Sequence, residues 1–345
     1  MNKLKKIRID FRHFWPNFNP QDNFFIKFLR PHYDIIVDKE KPDFVFFSVF
    51  NENKNKNENI KGSLLKNFYS KGSRIIKTLS PGLYSKLKKT NLREVVKKET
   101  ARFQVPNLKG DFTRIFYTAE NVIPDMAKCD WAFSFCYDEE FKHPRHLRLP
   151  NYVTSGHFDD LIKNVNPLEV LKVKSKFCNF IYSNDVEYRN KFFEKLNRYK
   201  KVDAPGKCMN NTPPIGQHIN TLSSRYALDW QQTKIKFLHD YKFTIAFENE
   251  SYPGYVTEKI THPMAANSIP IYYGDDLISR DFNKKSFLFE SDVSNLENLV
   301  EKIIELDRDD DRYMAMMQEP WLKDNQLNKY LKKELLLERF KAIFN

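Results

Sequence analysis

A 34-residue stretch, Phe243–Asp276, FTIAFENESYPGYVTEKITHPMAANSIPIYYGDD, constrains the fold more than any other. Two short apolar runs, Phe243–Phe247 and Ile269–Tyr273, bracket a polar loop with a Pro253-Gly254 turn. Runs of that length, rich in Phe, Ile and Tyr, read as strands buried on both faces. After the turn, Thr257 suits a helix N-cap and Glu258 suits the positive end of the helix dipole. Strand, loop, helix and strand form a βαβ unit, whose ligands lie beyond the carboxyl ends of the strands. A helix start there also presents unpaired N–H groups that suit a phosphate. Lys259 is out of place in that first turn, because cations favour the other helix end; an anionic ligand resolves the conflict.

At 345 residues the chain exceeds one comfortable core, and two domains are expected. Thirty Phe and 17 Tyr supply packing for both and argue against global disorder. Cys129, Cys136, Cys178 and Cys208 form no CxxC pair and no metal-ligand spacing, so they read as reduced thiols. The start, MNKLKKIRIDF, is basic but lacks an apolar stretch of signal length. No segment approaches the roughly 18–20 apolar residues of a membrane span.

In chain order, Ile7–Phe11, Tyr33–Val37 and Asp43–Val49 read as strands, with Asn23–Leu29 as a helix between the first two. Alternation of this kind points to an α/β, Rossmann-like half. His13, Trp15 and Phe18 follow the first strand, where a sugar has an aromatic face to stack on. From Lys61 to Thr100, eleven Lys/Arg stand against two acids, most of the chain's net +12. Three readings compete for this basic segment: a solvated face, attraction to an anionic bilayer or charged acceptor, and nucleic-acid binding. No helix-turn-helix, zinc-finger or RNP-type string is present, so nucleic acid ranks last.

Arg114–Thr118 reads as a further buried strand with Glu120 just beyond its carboxyl end, where α/β proteins place chemistry. A carboxylate there can take a proton from an attacking hydroxyl if it lies within hydrogen-bond reach; Asp125 and Asp130 are reserves. Asn151–Lys174 reads as linker and domain entry, Phe177–Ser183 as a strand and Asn184–Leu196 as a helix carrying Arg189. His143, His146 and His157 read as structural histidines. Asn295–Leu306 and Arg312–Gln318 read as helices, and the tail after Gln326 as amphipathic.

FEN, then YVTEKI and IPIYYG, resembles the donor-binding signature of the α-1,3/4-fucosyltransferases. RIFYTAEN, RHLRLP, the SN…RNKF segment and RDFNKKS are similar to further segments of that family. The resemblance covers residues 1–50 weakly and 114–290 well. It implies inverting transfer of L-fucose from GDP-fucose on the GT-B fold, with two Rossmann-like domains facing each other across a cleft. Carried onto this chain, it makes Glu120 the general base. Arg189, Asn249, Tyr255, Glu258 and Lys259 become donor residues, with Arg189 and Lys259 on the leaving GDP and Glu258 on ribose or the fucosyl ring. It implies no metal and no cofactor beyond the donor substrate. The acceptor is expected to be O3 of GlcNAc in an N-acetyllactosamine-like or lipid-linked glycan. The domains are expected over 1–160 and 161–325, with 326–345 packing back on the first. The chain resembles the soluble bacterial type, expected in the cytoplasm, with peripheral membrane contact through 61–100 or the last helix. Alternatives are another GT-B nucleotide-sugar transferase and a non-catalytic polyanion binder. Three departures stand out: Ala119 replaces a usual Gly, the connection 51–112 is long, and Pro263 sits inside the expected helix.

Overall fold

The computed structural model describes residues 3–50, 104–156, 159–218 and 230–345. The basic run Lys61–Thr100, with most of the long connection around it, lies outside the described residues. The chain divides into two compact units, Met1–Ala132 and Phe133–Asn345.

In the first unit, β1 (Lys6–Arg12), β2 (Asp34–Val37), β3 (Phe44–Phe47) and β4 (Thr113–Tyr117) are all paired in parallel. The two expected strands around residues 33–49 are present but shorter. Helix α1 (Phe24–Leu29) is capped by Asn23, whose side chain accepts from Ile26 N at 3.1 Å. The division between the units falls inside β5 (Trp131–Ser134), and the sheet runs in the order β2-β1-β3-β4-β5-β6, with β6 at His146–Arg148. Parallel strands covered on both faces need continuous apolar runs, and Val45, Phe46, Phe47, Ile115, Phe116 and Tyr117 are all buried. Phe14, Trp15 and Phe18 pack on one another after β1, with the Phe14 and Phe18 rings stacked 4.2 Å apart. His13 adopts a left-handed φ of 58° and lies 3.1 Å from Phe50 O through Nδ1. Their ring faces are therefore largely turned on each other, with Trp15 the most exposed.

The second unit holds a five-stranded sheet in the order β11-β10-β9-β7-β8. Its strands are β7 (Lys176–Asn179), β8 (Val202–Asp203), β9 (Tyr241–Phe247), β10 (Ile269–Tyr273) and β11 (Leu288–Glu290). Every residue of β9 and β10 is buried, and the pair is parallel with Phe243 opposite Ile269. Besides four-residue helical turns such as Asn151–Thr154, its helices are α2 (Pro167–Val173), α3 (Glu187–Tyr199), α4 (Trp230–Leu238), α5 (Glu258–Ala265), α6 (Leu296–Arg308), α7 (Asp310–Gln318) and α8 (Lys333–Phe344). The stretch read as linker contains α2, started by Asn166 as cap and Pro167 in the first turn. That start signal is legible in hindsight.

Two buried cations tie the second unit together. Lys174 Nζ donates to His239 O at 2.6 Å and Ala266 O at 2.9 Å, carbonyls just past the ends of α4 and α5. Arg148 is wholly buried, forked onto Asp281 at 2.9 and 2.7 Å. Its Nε donates to Phe135 O at 3.0 Å and Nη2 to Gly254 O at 3.2 Å. The guanidinium also lies over the Tyr137 and Tyr330 rings, at 4.2 and 4.5 Å from their centroids. In α8, Phe340 packs on Phe133 with centroids 5.2 Å apart, and Arg339 Nη1 donates to Pro144 O at 2.6 Å.

Candidate active site

In the first unit, Glu120 stands three residues beyond the end of β4, half-buried. A short turn places it: Glu120 N donates to Thr118 Oγ1 at 3.1 Å and Val122 N to Glu120 O at 2.8 Å. Both reserve acids have structural duties. Asp130 accepts Arg114 Nε and Nη2 at 3.0 and 2.8 Å, and also Arg114 N. Asp125 accepts from Ala127 N at 3.1 Å and pairs with Lys128 at 3.3 Å. Glu120 thus keeps the position at the strand end that the sequence indicated.

In the second unit, the five donor residues indicated by the sequence gather around the ends of β9 and α5. Arg189, on the first turn of α3, is buried, and its guanidinium lies over the Tyr182 ring at 3.9 Å. Arg189 Nη2 donates to Asn249 Oδ1 at 3.1 Å and Glu248 O at 3.2 Å, while Tyr188 OH lies 2.9 Å from Glu248 O. Arg189 Nε finds no acceptor among the described residues, an orphan donor of the kind a ligand oxygen satisfies. Tyr255 is buried, its ring edge-on to Phe135 at 5.4 Å. The loop before it turns at Gly254 with φ 81°, where a Cβ would meet Phe135 O at 2.4 Å. Only glycine fits both conditions.

Thr257 caps α5 as its sequence position indicated, accepting from Lys259 N through Oγ1. Pro263 lies inside the helix, which has eight residues; lacking an N–H, it leaves the Lys259 carbonyl without its usual partner. The anion that answers Lys259 is already in the protein. Glu248, fully buried at the end of β9, accepts Lys259 Nζ at 3.0 Å through Oε2. It also accepts Thr257 N at 2.8 Å through Oε1, and Thr257 Oγ1 at 2.9 Å from each carboxylate oxygen. The sequence reading gave Glu248 no role, although an acid directly after a fully apolar strand was a visible signal.

The electrostatics follow from this crowding. Burial works to raise the Glu258 pKa, but Lys259, Lys234 and His262 outweigh it and hold the carboxyl down to about 2. Burial works against the Lys259 ammonium, yet Glu248 and Glu258 together raise its pKa above the usual lysine value. Lys259 is therefore a cation and Glu258 a carboxylate at neutral pH. Glu258 N donates to Asn151 Oδ1 at 3.3 Å, which fixes the first turn of α5. His146 is engaged by Ser134 and Asp138 at 2.8 and 2.9 Å, while His157 lies outside the described residues. Among the described residues no group of three His, Cys, Asp or Glu converges as a metal set.

Two parallel-sheet units, with polar residues beyond strand ends in each, define a GT-B glycosyltransferase fold. The whole chain superposes on the crystal structure of an α1,3-fucosyltransferase with GDP-fucose (TM-score 0.66, 22% identity, covering 92% of that chain). Residues 171–340 match the model for glycosyltransferase family 10 (fucosyltransferase) C-term, and residues 9–75 and 99–155 match the alpha-(1,3)-fucosyltransferase FucT N-terminal domain. The chain belongs to this fucosyltransferase family. It is 29% identical over 264 residues to the alpha-(1,3)-fucosyltransferase FucT of Helicobacter pylori, covering 67% of this chain and 52% of that one. It is 33% identical over 190 residues to R654 of Acanthamoeba polyphaga mimivirus, a fucosyltransferase candidate, covering 54% and 31% respectively. The chain thus spans about a third to a half of the length of these curated relatives.

Proposed function

We propose that the protein transfers L-fucose from GDP-fucose with inversion, to O3 of GlcNAc in an N-acetyllactosamine-like glycan. The observation that carries this reading is the cluster at the end of β9, where Lys259 and the orphan Nε of Arg189 flank the start of α5. Preorganised cations beside a helix N-terminus suit a diphosphate whose charge grows as it leaves. Glu120 takes the proton of the acceptor hydroxyl as that oxygen attacks the anomeric carbon and GDP departs from the opposite face. Glu258, held ionised by its neighbours, is confined to accepting hydrogen bonds or opposing positive charge; it is not a proton donor. On this reading Lys259 and Arg189 supply the positive charge that the departing diphosphate requires.

A nucleotide thermal-shift panel followed by product linkage analysis tests the reading. GDP is expected to raise Tm more than UDP or ADP, and GDP-fucose with N-acetyllactosamine to give an α-1,3-fucosylated product. Stabilisation by UDP instead would make the protein a transferase of a different sugar. No stabilisation by any nucleotide would remove the donor site.

A further inference from the structure

We infer that Glu248 is a positioning residue for the donor site: its buried carboxylate fixes the Lys259 ammonium and the first turn of α5 in the arrangement that receives a nucleoside diphosphate. The inference rests on the donor reading above and adds a residue to it. Leaving a carboxylate fully buried is expensive unless every lone pair is engaged. Glu248 has both oxygens engaged by partners from one place, the backbone N–H of Thr257, the ammonium of Lys259, and the single Thr257 hydroxyl proton shared between the two oxygens. All belong to the cap and first turn of α5. The carboxylate's own backbone is held from the other side, where Arg189 and Tyr188 both reach the Glu248 carbonyl.

Without this anion, a lysine at a helix N-terminus would face the positive end of the dipole and turn outward or lose its proton. With it, two of the three ammonium N–H donors are directed inward, to Glu248 and Thr257. About a fifth of the Lys259 side chain stays exposed, enough for a third donor to meet a ligand. The other charged or titratable groups around Lys259 are Glu258 on its own helix, Tyr255 in the preceding loop and Tyr182 beyond β7. Lys234 of α4 and His262 act on Glu258, and Arg189 lies on Tyr182. Of these groups, Glu248 is the one within ion-pair distance, its Oε2 lying 3.0 Å from Lys259 Nζ.

The test separates positioning from simple nearby charge. Removing a negative charge beside a diphosphate should by itself tighten binding, whereas loss of a positioned ammonium should make binding pH-sensitive. GDP dissociation constants would be measured by calorimetry from pH 6.5 to 10 for wild type, Glu248→Gln, Lys259→Met and the double variant. In Glu248→Gln, the alkaline loss of GDP affinity is expected at least one pH unit lower than in wild type. In the Lys259→Met background, Glu248→Gln should then leave the alkaline limb unmoved, whatever its plain charge does to affinity at neutral pH. An unchanged alkaline limb in Glu248→Gln, with or without tighter binding, overturns the inference, and so does an equal effect in both backgrounds. Should Glu248→Gln fail to fold, the comparison of Lys259→Met with the double variant still decides, since their alkaline limbs must coincide and a shifted limb overturns the inference. Wild-type GDP affinity in Lys259→Met would instead remove the donor reading on which the inference stands.

Discussion

Glu120 in the first unit and Arg189 in the second show how differently single residues enter the proposed chemistry. Glu120 sits at a strand end on a short turn built by Thr118, with both neighbouring acids committed to basic partners or backbone. If it is the general base, Glu120→Gln should lower kcat by about 10²–10⁴ and leave GDP affinity unchanged; turnover within a fewfold of wild type would remove it from that role. Arg189 lies on the opposite side of this distinction. Arg189→Ala should weaken GDP binding by roughly 1.5–3 kcal/mol, the scale of a charged hydrogen bond, as read by calorimetry. Glu258 offers a pH test. Its folded-state pKa of about 2 lies below the ordinary 4.5, so its ionisation stabilises the fold fully above pH 4.5 and less as pH falls towards 2. The difference in Tm between wild type and Glu258→Gln should therefore shrink as pH is lowered from 6 to 3, and a constant difference would contradict the assignment.

At the scale of elements, α5 is a short helix that relies on its surroundings. Its interior Pro263 removes one internal hydrogen bond, and eight residues are too few for a helix to hold by propensity alone. Tertiary contacts supply what is missing. Glu248 closes the N-terminus, and Lys174 caps the C-terminal carbonyls of both α5 and α4. Burial pulls the Lys174 pKa down to about 7, against which the charge of Asp240 favours the ammonium form. Lys174→Met should cost about 2–3 kcal/mol in urea unfolding, since two charge-assisted bonds are lost and two carbonyls are left buried. A change under 0.5 kcal/mol would show that α4 and α5 are held by packing alone. The linker reading of 151–174 failed at this same scale, because helices of four to seven residues leave too short a periodic signal.

At the scale of the whole molecule, charge and hydropathy say less than two buried arginine contacts. Most of the net +12 lies in the run Lys61–Thr100, outside the described residues. Among the described residues no helix is long and apolar enough to cross a membrane. What ties the second unit together is Arg148, which joins β6 to Asp281 and to the carbonyl of Gly254 in the loop before α5. Arg148→Met leaves the Asp281 carboxylate buried without its partner, and is expected to destabilise by about 3–5 kcal/mol. Chemical denaturation measures this directly; removing Asp281 as well should restore part of the loss, and equal stability of wild type and Arg148→Met would discard the account.

Much of this was readable from one-dimensional pattern. The apolar runs at 243–247 and 269–273 became the central strands β9 and β10, and Thr257 became a cap, because burial and capping depend on residue type and local spacing. The spaced strings around Arg189, Asn249 and Lys259 likewise placed those residues in one neighbourhood. The sequence could not show that the anion opposing Lys259 is Glu248, eleven positions earlier, or that Arg148 reaches residues more than a hundred positions away. Those pairings exist only once two strands lie side by side and a loop folds over them. They are set by three-dimensional proximity and the need to neutralise every buried charge, which no local spacing encodes.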